Sequence, residues 1–123
     1  MERARIEEFL VEGKNFIYID MSDFKTGGEF TELIKRAEPL IAKYPEGSLY
    51  TITNLENSKF DTEMKGFVLD YLQHNKPYIK YGAVIGFDGI KKIMLNVLLE
   101  QSGRDNLLFA FSREQAVEFL LEK

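Results

Sequence analysis

The alternation of hydrophobic and polar positions predicts an N-terminal hairpin followed by helices and strands in turn. Two segments rich in apolar residues, 5–12 and 15–20, flank a turn at Gly13, and the second contains the β-forming run FIYID. We expect these segments to form two paired strands. A short N-terminal helix is the alternative, because the apolar residues within 6–10 also fit one helical face.

Beyond the hairpin, the pattern predicts helices that alternate with strands. Helical spacing or capping signals cover 26–44, 61–75, 88–103 and 112–121, and apolar runs with β-branched or aromatic residues cover 48–54, 78–87 and 106–111. Such alternation implies right-handed crossovers and a largely parallel sheet, which the hairpin makes mixed. The sequence therefore predicts an α/β fold with a mixed, mostly parallel sheet of about five strands and about four helices.

Capping residues and one proline define the predicted helix ends. Thr26 and Glu29 have the spacing of a capping box, in which each side chain satisfies a free backbone N–H group of the first turn. Pro39 lies inside the same helical pattern and lacks a backbone N–H group, so we expect a kink or an early break there. The other helices are predicted to start at Asp61, at Asp88, and at Ser112 with Gln115.

Composition narrows the class of protein. The 123 residues fit a single domain, 1–123, and 45% hydrophobic with 29% charged residues is typical of a globular chain. A net charge of −4 without a basic stripe disfavours nucleic-acid binding, and the absence of cysteine excludes disulfides and thiol chemistry. No apolar run reaches the roughly 20 residues of a membrane span, and no signal-peptide core is visible, so we expect a cytoplasmic protein.

The element order and four strings of sequence resemble the STAS domain, the fold of bacterial anti-sigma-factor antagonists, and within it the SpoIIAA-like (STAS/Sec14-like) branch. The strings are GKNFIYIDMSDF, LYTITNLENSKFDTEMKGF, HNKPYIKYGAVIGFDGIKKI and SGRDNLLFAFSREQAVEFL. The resemblance extends from about Gly13 to Leu121. It implies a role in protein–protein switching or in sensing a small ligand, and none of the strings is a catalytic signature.

The resemblance also implies a location for a regulatory phosphorylation site. Related domains place the acceptor serine in a D-S-S-G-like motif at the start of the second helix, which corresponds to Asp61 and Thr62 here. Glu63 and Met64 replace the small residue and the glycine, so the motif is degraded. Thr62 and Ser58 are the candidate acceptors, and the simpler interpretation is that Asp61 and Thr62 only begin the helix.

Two surfaces are candidates for partner binding. The first is the polar loop before the second helix, formed by Asn57, Ser58, Lys59, Phe60, Asp61 and Thr62. The second is on the third helix, where Leu95 and Leu99 lie beside the presumed core stripe of Ile90, Ile93, Met94, Val97 and Leu98. This additional apolar face predicts deeper burial than usual, a partner or homodimer surface, or the wall of a pocket for a small apolar ligand.

Other chemistry has simpler structural explanations. Asp20, Asn54 and Asp88 follow strands and could together bind Mg²⁺, but turn formation and helix capping account for them. The only histidine, His74, lies at a helix end, where it meets the helix dipole. The segment 86–89, with two lysines after it, could bind an anion weakly. We expect no catalytic residue, no metal and no cofactor.

Three functional hypotheses follow. The first is a non-enzymatic, STAS-like interaction or regulatory module with an unknown protein partner. The second is a carrier or sensor that binds a small apolar ligand or lipid in a Sec14-like pocket. The third is an unrecognised enzyme, for which Mg²⁺-dependent phosphoryl transfer is the least implausible reaction.

Overall fold

The computed structural model describes residues 4–60 and 64–123. The order of elements is β1 (Ile6–Val11), β2 (Lys14–Asp20), α1 (Gly27–Ile41), β3 (Leu49–Asn54), α2 (Met64–Asn75), β4 (Ile79–Ile85), α3 (Gly89–Ser102), β5 (Leu107–Phe109) and α4 (Arg113–Leu121). The predicted α/β fold with four helices and a five-stranded, mostly parallel mixed sheet is confirmed. The N-terminal segment forms a hairpin, not a helix. Within the described ranges, no helix combines the length and apolar character needed to cross a bilayer.

The strands lie in the sheet in the same order as in the chain. β1 pairs with β2 in antiparallel fashion, and each later strand adds parallel to the one before it. Every parallel step requires a crossover, and right-handed crossovers that all advance in one direction place their helices on the same face. Thus α1, α2 and α3 cover one face of the sheet, and α4 covers the other.

The two faces hold separate cores, because successive strand residues point in opposite directions. Tyr50 and Ile52 of β3 pack towards α4 with Leu120, whereas Leu49 belongs to the larger core beneath α1 and α2. A small third cluster joins α2 to α3 through Val68, Leu72, Leu98 and Leu99. β3 is therefore a central strand that is covered on both sides, as its apolar sequence predicts.

Helix α1 has the predicted capping box and passes through its proline. The Thr26 hydroxyl accepts a hydrogen bond from the Glu29 N–H group, and the Glu29 carboxylate accepts one in return from the Thr26 N–H group. Hydrogen bonding from the Lys25 N–H group to this carboxylate is the main cause that lowers the pKa of Glu29. The helix continues past Pro39 but ends at Ile41, earlier than the apolar pattern extends.

Gly86, which follows β4, lies where only glycine fits. Its φ is +70°, and a Cβ added there would lie 2.5 Å from the Glu56 backbone nitrogen and 2.6 Å from Asn54 Oδ1. The backbone after β3 therefore passes directly against the backbone after β4. Gly47 provides a comparison, because its φ is +67° but a Cβ there would have no neighbour within 4 Å.

We expect Gly86→Ala to destabilise the fold much more than Gly47→Ala. Gly47→Ala adds only the cost of a left-handed conformation, about 1 kcal/mol. Gly86→Ala adds a backbone overlap to that cost, for a total of about 3 kcal/mol. Urea denaturation of the two variants and the wild type measures the difference, and equal losses would contradict the close approach.

Candidate functional site

The polar residues at the carboxyl ends of β2 and β3 support the turns that follow. Asp20 is buried, its Oδ1 accepts a hydrogen bond from the Ser22 N–H group, and Arg5 Nη1 lies 3.9 Å from the same oxygen. Asn54 Oδ1 accepts a hydrogen bond from the Glu56 N–H group. Among residues 4–60 and 64–123, no three potential acidic or histidine ligands form a group that could hold a metal ion.

The segment after β4 has its charges neutralised locally. Asp88 caps α3: its Oδ1 accepts a hydrogen bond from the Lys91 N–H group at 2.9 Å, and its Oδ2 lies 3.2 Å from Lys91 Nζ. Lys92 Nζ lies over the rings of Phe87 and Phe109 at 5.8 and 5.1 Å. The two lysines that the sequence suggested for anion binding therefore interact with groups of the chain itself.

His74 lies in the last turn of α2, as predicted. Its Nδ1 is 2.9 Å from Asn75 Oδ1 and 3.7 Å from Glu38 Oε2, and its ring contacts Tyr78. These are interactions of a side chain at a helix C-terminus that also contacts the preceding helix α1. They do not resemble a nucleophile–base pair.

The loop 57–60 is held against the segment that follows β2. The Asn57 amide donates a hydrogen bond to Asp23 Oδ1 at 2.8 Å, Lys25 Nζ donates to the Asn57 carbonyl, and the Lys59 N–H group donates to the Phe24 carbonyl at 2.8 Å. The main chain of this part of the proposed partner-binding loop therefore has a defined conformation.

The two candidate phosphorylation sites have different outcomes. Ser58 is only 7% exposed and donates a hydrogen bond to the Leu55 carbonyl at 2.6 Å. Its hydroxyl is thus bonded to the main chain and little exposed in this structure, and its phosphorylation stays a prediction. Asp61 and Thr62 lie outside the described residues, so the predicted helix cap and the Thr62 site stay predictions.

Only part of the predicted core stripe of α3 is buried, since Leu98 packs inwards together with the two leucines of the additional apolar face. Leu95 and Leu99 are buried, whereas Ile90, Ile93 and Val97 from the presumed core stripe are 73%, 67% and 48% exposed. The polar residues explain the error, because Lys91 and Ser102 lie on the buried side, where Lys91 pairs with Asp88 and Ser102 bonds to the Leu99 carbonyl. We call Ile90, Ile93 and Val97 the α3 stripe.

A cavity lies between the sheet and the helices on the three-helix face. Its volume is about 50 Å³, and most of its wall is apolar. Leu95 is the α3 residue in this wall, so one of the roles predicted for it, the wall of a pocket, is compatible with its position. The cavity is lined by Met21, Ile34, Thr51, Thr53, Leu55, Phe60, Val68, Tyr71, Leu72, Asn75, Val84, Leu95, Arg104 and Leu107.

Arg104 contributes a cation to this apolar wall. The side chain follows the left-handed Gly103 that ends α3, and it is 7% exposed. Its Nε donates a hydrogen bond to Asn106 Oδ1 at 3.0 Å, and its Nη1 donates to the Leu72 carbonyl at 3.4 Å. No carboxylate of the described residues forms an ion pair with it. Burial lowers the pKa of Arg104, but a guanidinium stays protonated near neutral pH.

Tyr71 adds a second polar group without a partner. Its hydroxyl is buried and has no hydrogen bond to the described part of the chain, although Asn75 and Arg104 lie close enough to influence its pKa. Burial is the main cause that raises the pKa of Tyr71, so the phenol is neutral at pH 7. Tyr50 also has a buried, unpaired hydroxyl, but it lies on the α4 face and does not line the cavity.

Two of the polar residues that line the cavity, Tyr71 and Arg104, were not identified from the sequence as functional. Tyr71 fits the apolar stripe of α2, and the sequence pattern does not show that its hydroxyl lacks a partner. Arg104 lies in a Ser-Gly-Arg-Asp-Asn turn, where a charged side chain is normally exposed to solvent. Only the packing of α2 and α3 against β5 shows that this arginine is buried.

Comparisons with known proteins leave the family open. A scan of the chain against protein-family models and a search against curated proteins found no match.

We expect the cap at Asp88 to make stability depend on pH. Its hydrogen bond from the Lys91 N–H group is the main cause that lowers the pKa of Asp88 below 3.8, so the charged form stabilises the native state above that pH. The contribution is lost as the pH falls through the lowered pKa. At pH 7, Asp88→Ala should cost about 1 kcal/mol.

Asp88→Asn provides the control for charge, because asparagine also caps helices but does not titrate. The stability advantage of the wild type over Asp88→Asn should shrink as the pH falls from 6 to about 3, measured by urea denaturation at each pH. A difference that stays constant over this range would contradict a role for the charge.

Proposed function

We propose that this protein is a non-enzymatic binding module that holds a small molecule with an apolar body between the sheet and helices α2 and α3. The cavity near Arg104 is the observation that carries the proposal. A void lined only by apolar atoms is a common packing defect, but this one is also lined by the buried Arg104 and by Tyr71, whose buried hydroxyl has no hydrogen bond to the described residues. Such polar groups normally have partners in native proteins.

The position of the cavity also favours ligand binding. Three elements of the sheet and three helices contribute to its wall, so a ligand there would contact segments that are distant in the chain. A molecule that binds only the folded protein stabilises it by mass action. A binding or sensing role needs no reacting group, and the described residues that line the cavity include no histidine or carboxylate.

The resemblance to STAS domains is compatible with a ligand-binding function. A mixed sheet with helices packed over it is what the resemblance implies, and a role in sensing a small ligand is among the functions it implies. We propose membership of the SpoIIAA-like branch on the basis of the four sequence strings and the element order.

We expect small neutral or charged molecules of a few non-hydrogen atoms to shift the amide NMR signals of β3, β4, α2 and α3. Val84→Phe should abolish these shifts, because Val84 lines the cavity and a larger ring would fill it. Val117→Phe is the matched control, since Val117 packs in the core on the α4 side and should leave binding unchanged. Shifts confined to other parts of the chain, or no shifts with any compound, would refute the proposal.

The α3 stripe supports a second candidate, a protein-interaction module. Ile90, Ile93 and Val97 lie at i, i+3 and i+7, so they share one side of the helix and are largely exposed. A stripe of branched apolar side chains on a surface helix is a feature of helix-mediated contacts. The loop 57–60 would extend such a surface if the partner also reached the second helix.

We expect Ile93→Glu to remove binding to a specific partner without lowering the melting temperature, because the side chain is 67% exposed. Gln73→Glu is the matched control, as it places the same charge at an exposed position of α2, outside the α3 stripe. Affinity purification with quantitative mass spectrometry compares the two variants with the wild type. A partner retained by both variants binds elsewhere, and a fall in melting temperature would show that Ile93 is structural.

A further inference from the structure

Arg104 is buried, and no carboxylate among residues 4–60 and 64–123 forms an ion pair with it. Burying an ion is costly unless a partner of opposite charge or several hydrogen bonds compensate it. A guanidinium has five N–H donors, and only two of its nitrogens have acceptors among the described residues, Asn106 Oδ1 and the Leu72 carbonyl. Unused donors of this side chain therefore remain at the wall of the cavity.

Part of the role of Arg104 is structural. Leu72 lies in the last turn of α2, where backbone carbonyls lack intrahelical donors, and a cation there also meets the negative end of the helix dipole. This contact uses one nitrogen only and leaves the positive charge without an ion pair. The structural role explains where the side chain is anchored, but not why its remaining donors border a cavity.

The hydroxyl of Tyr71 also requires a hydrogen-bond acceptor. The Tyr71 hydroxyl is buried and lacks a well-formed hydrogen bond to the described residues, although Asn75 lies near enough to lower its pKa, and Tyr71 lines the same cavity as Arg104. Both side chains offer donors, so the missing group is an acceptor. One positive charge in an apolar wall favours a single negative charge, and the planar arginine fork matches a carboxylate.

The size and lining of the cavity restrict the rest of the ligand. Its volume, about 50 Å³, is roughly one third of the 150 Å³ cavity that holds benzene in an engineered protein. Side chains such as Leu95, Val84 and Leu107 surround it and would contact a short alkyl group. A large or multiply charged anion would not meet these conditions.

We propose that the cavity binds a short-chain monocarboxylate of about two or three carbons, with its carboxylate on Arg104 and Tyr71 and its short alkyl group against the sheet and α3. This assignment rests on the proposed ligand-binding function and names the class of ligand. The ligand would contact Leu95, which is on the same helix as the α3 stripe. Binding would therefore stiffen helix α3, which presents that stripe.

Titration with sodium propionate at constant ionic strength tests the proposal, with propionamide as the neutral analogue and sodium chloride as the salt control. The amide NMR signals of the cavity should shift with propionate, and propionamide should bind at least about tenfold more weakly because it lacks the charge. Arg104→Met should reduce propionate affinity by about tenfold to a hundredfold.

Tyr71→Phe and Tyr50→Phe form a matched pair that does not depend on the folding of the arginine variant. Each removes a buried, unpaired hydroxyl, so each should raise the melting temperature of the free protein by up to a few degrees. Only Tyr71→Phe should also weaken propionate binding, because Tyr50 lies on the other face of the sheet.

The outcomes separate this proposal from the one on which it rests. Propionate binding that is unchanged in both Arg104→Met and Tyr71→Phe would overturn the assignment of the site. If propionamide binds as tightly as propionate, the cavity takes neutral ligands, so the binding function stands and the carboxylate assignment falls. If neither compound nor any other small molecule binds, both proposals fall.

Discussion

The sequential parallel order of β2, β3, β4 and β5 is the constraint on which the rest of the structure depends. Because every crossover advances in the same direction, three helices lie on one face and only α4 is left for the other. The crowded face must fit three helices to one twisted sheet, and its cavity lies where α2, α3 and β5 meet. On the opposite face, the short helix α4 alone has to cover the sheet.

Aromatic stacking and cations complete the cover of the α4 face. Phe9, Phe16 and Tyr50 stack across neighbouring strands with ring centroids 5.3 and 5.1 Å apart. Arg113 lies over Phe9, and Lys123 lies over Tyr81, so charged side chains from the two ends of α4 shield rings that the helix does not reach. Each such contact contributes about 0.5 to 1 kcal/mol at an exposed site. This face is therefore closed by surface side chains, and the candidate site lies on the other one.

The elements could be predicted because local signals agree with the fold. The turn at Gly13, the capping box of Thr26 and Glu29, and the left-handed Gly103 all act where the sequence places them. The orientation of α3 could not be predicted, because helical periodicity gives the width of an apolar arc but not which side meets the sheet. A helix normally buries its apolar side and exposes its charged side. In α3 this distinction is lost, because Lys91 is buried and pairs with Asp88.

The candidate site was harder to predict for a related physical reason. Sequence patterns identify reactive residues by type and spacing, whereas this site depends on what surrounds two ordinary side chains. Arg104 in a turn and Tyr71 on an amphipathic helix are unremarkable until the packing of α2 against α3 removes both from water. The missing hydrogen bonds are a property of tertiary structure, whereas a search by motif finds helix caps such as Asp88.

Helix α3 connects the two candidate functions physically. Its inner side contributes Leu95 to the cavity, and its C-terminal turn leads directly into Arg104, while its outer side carries the α3 stripe. A group that satisfied the charge of Arg104 would remove the energetic cost of holding that cation between α2 and β5. The closed arrangement of α2 and α3 would then become more stable relative to any looser one, because a ligand shifts an equilibrium by its differential affinity for the two states.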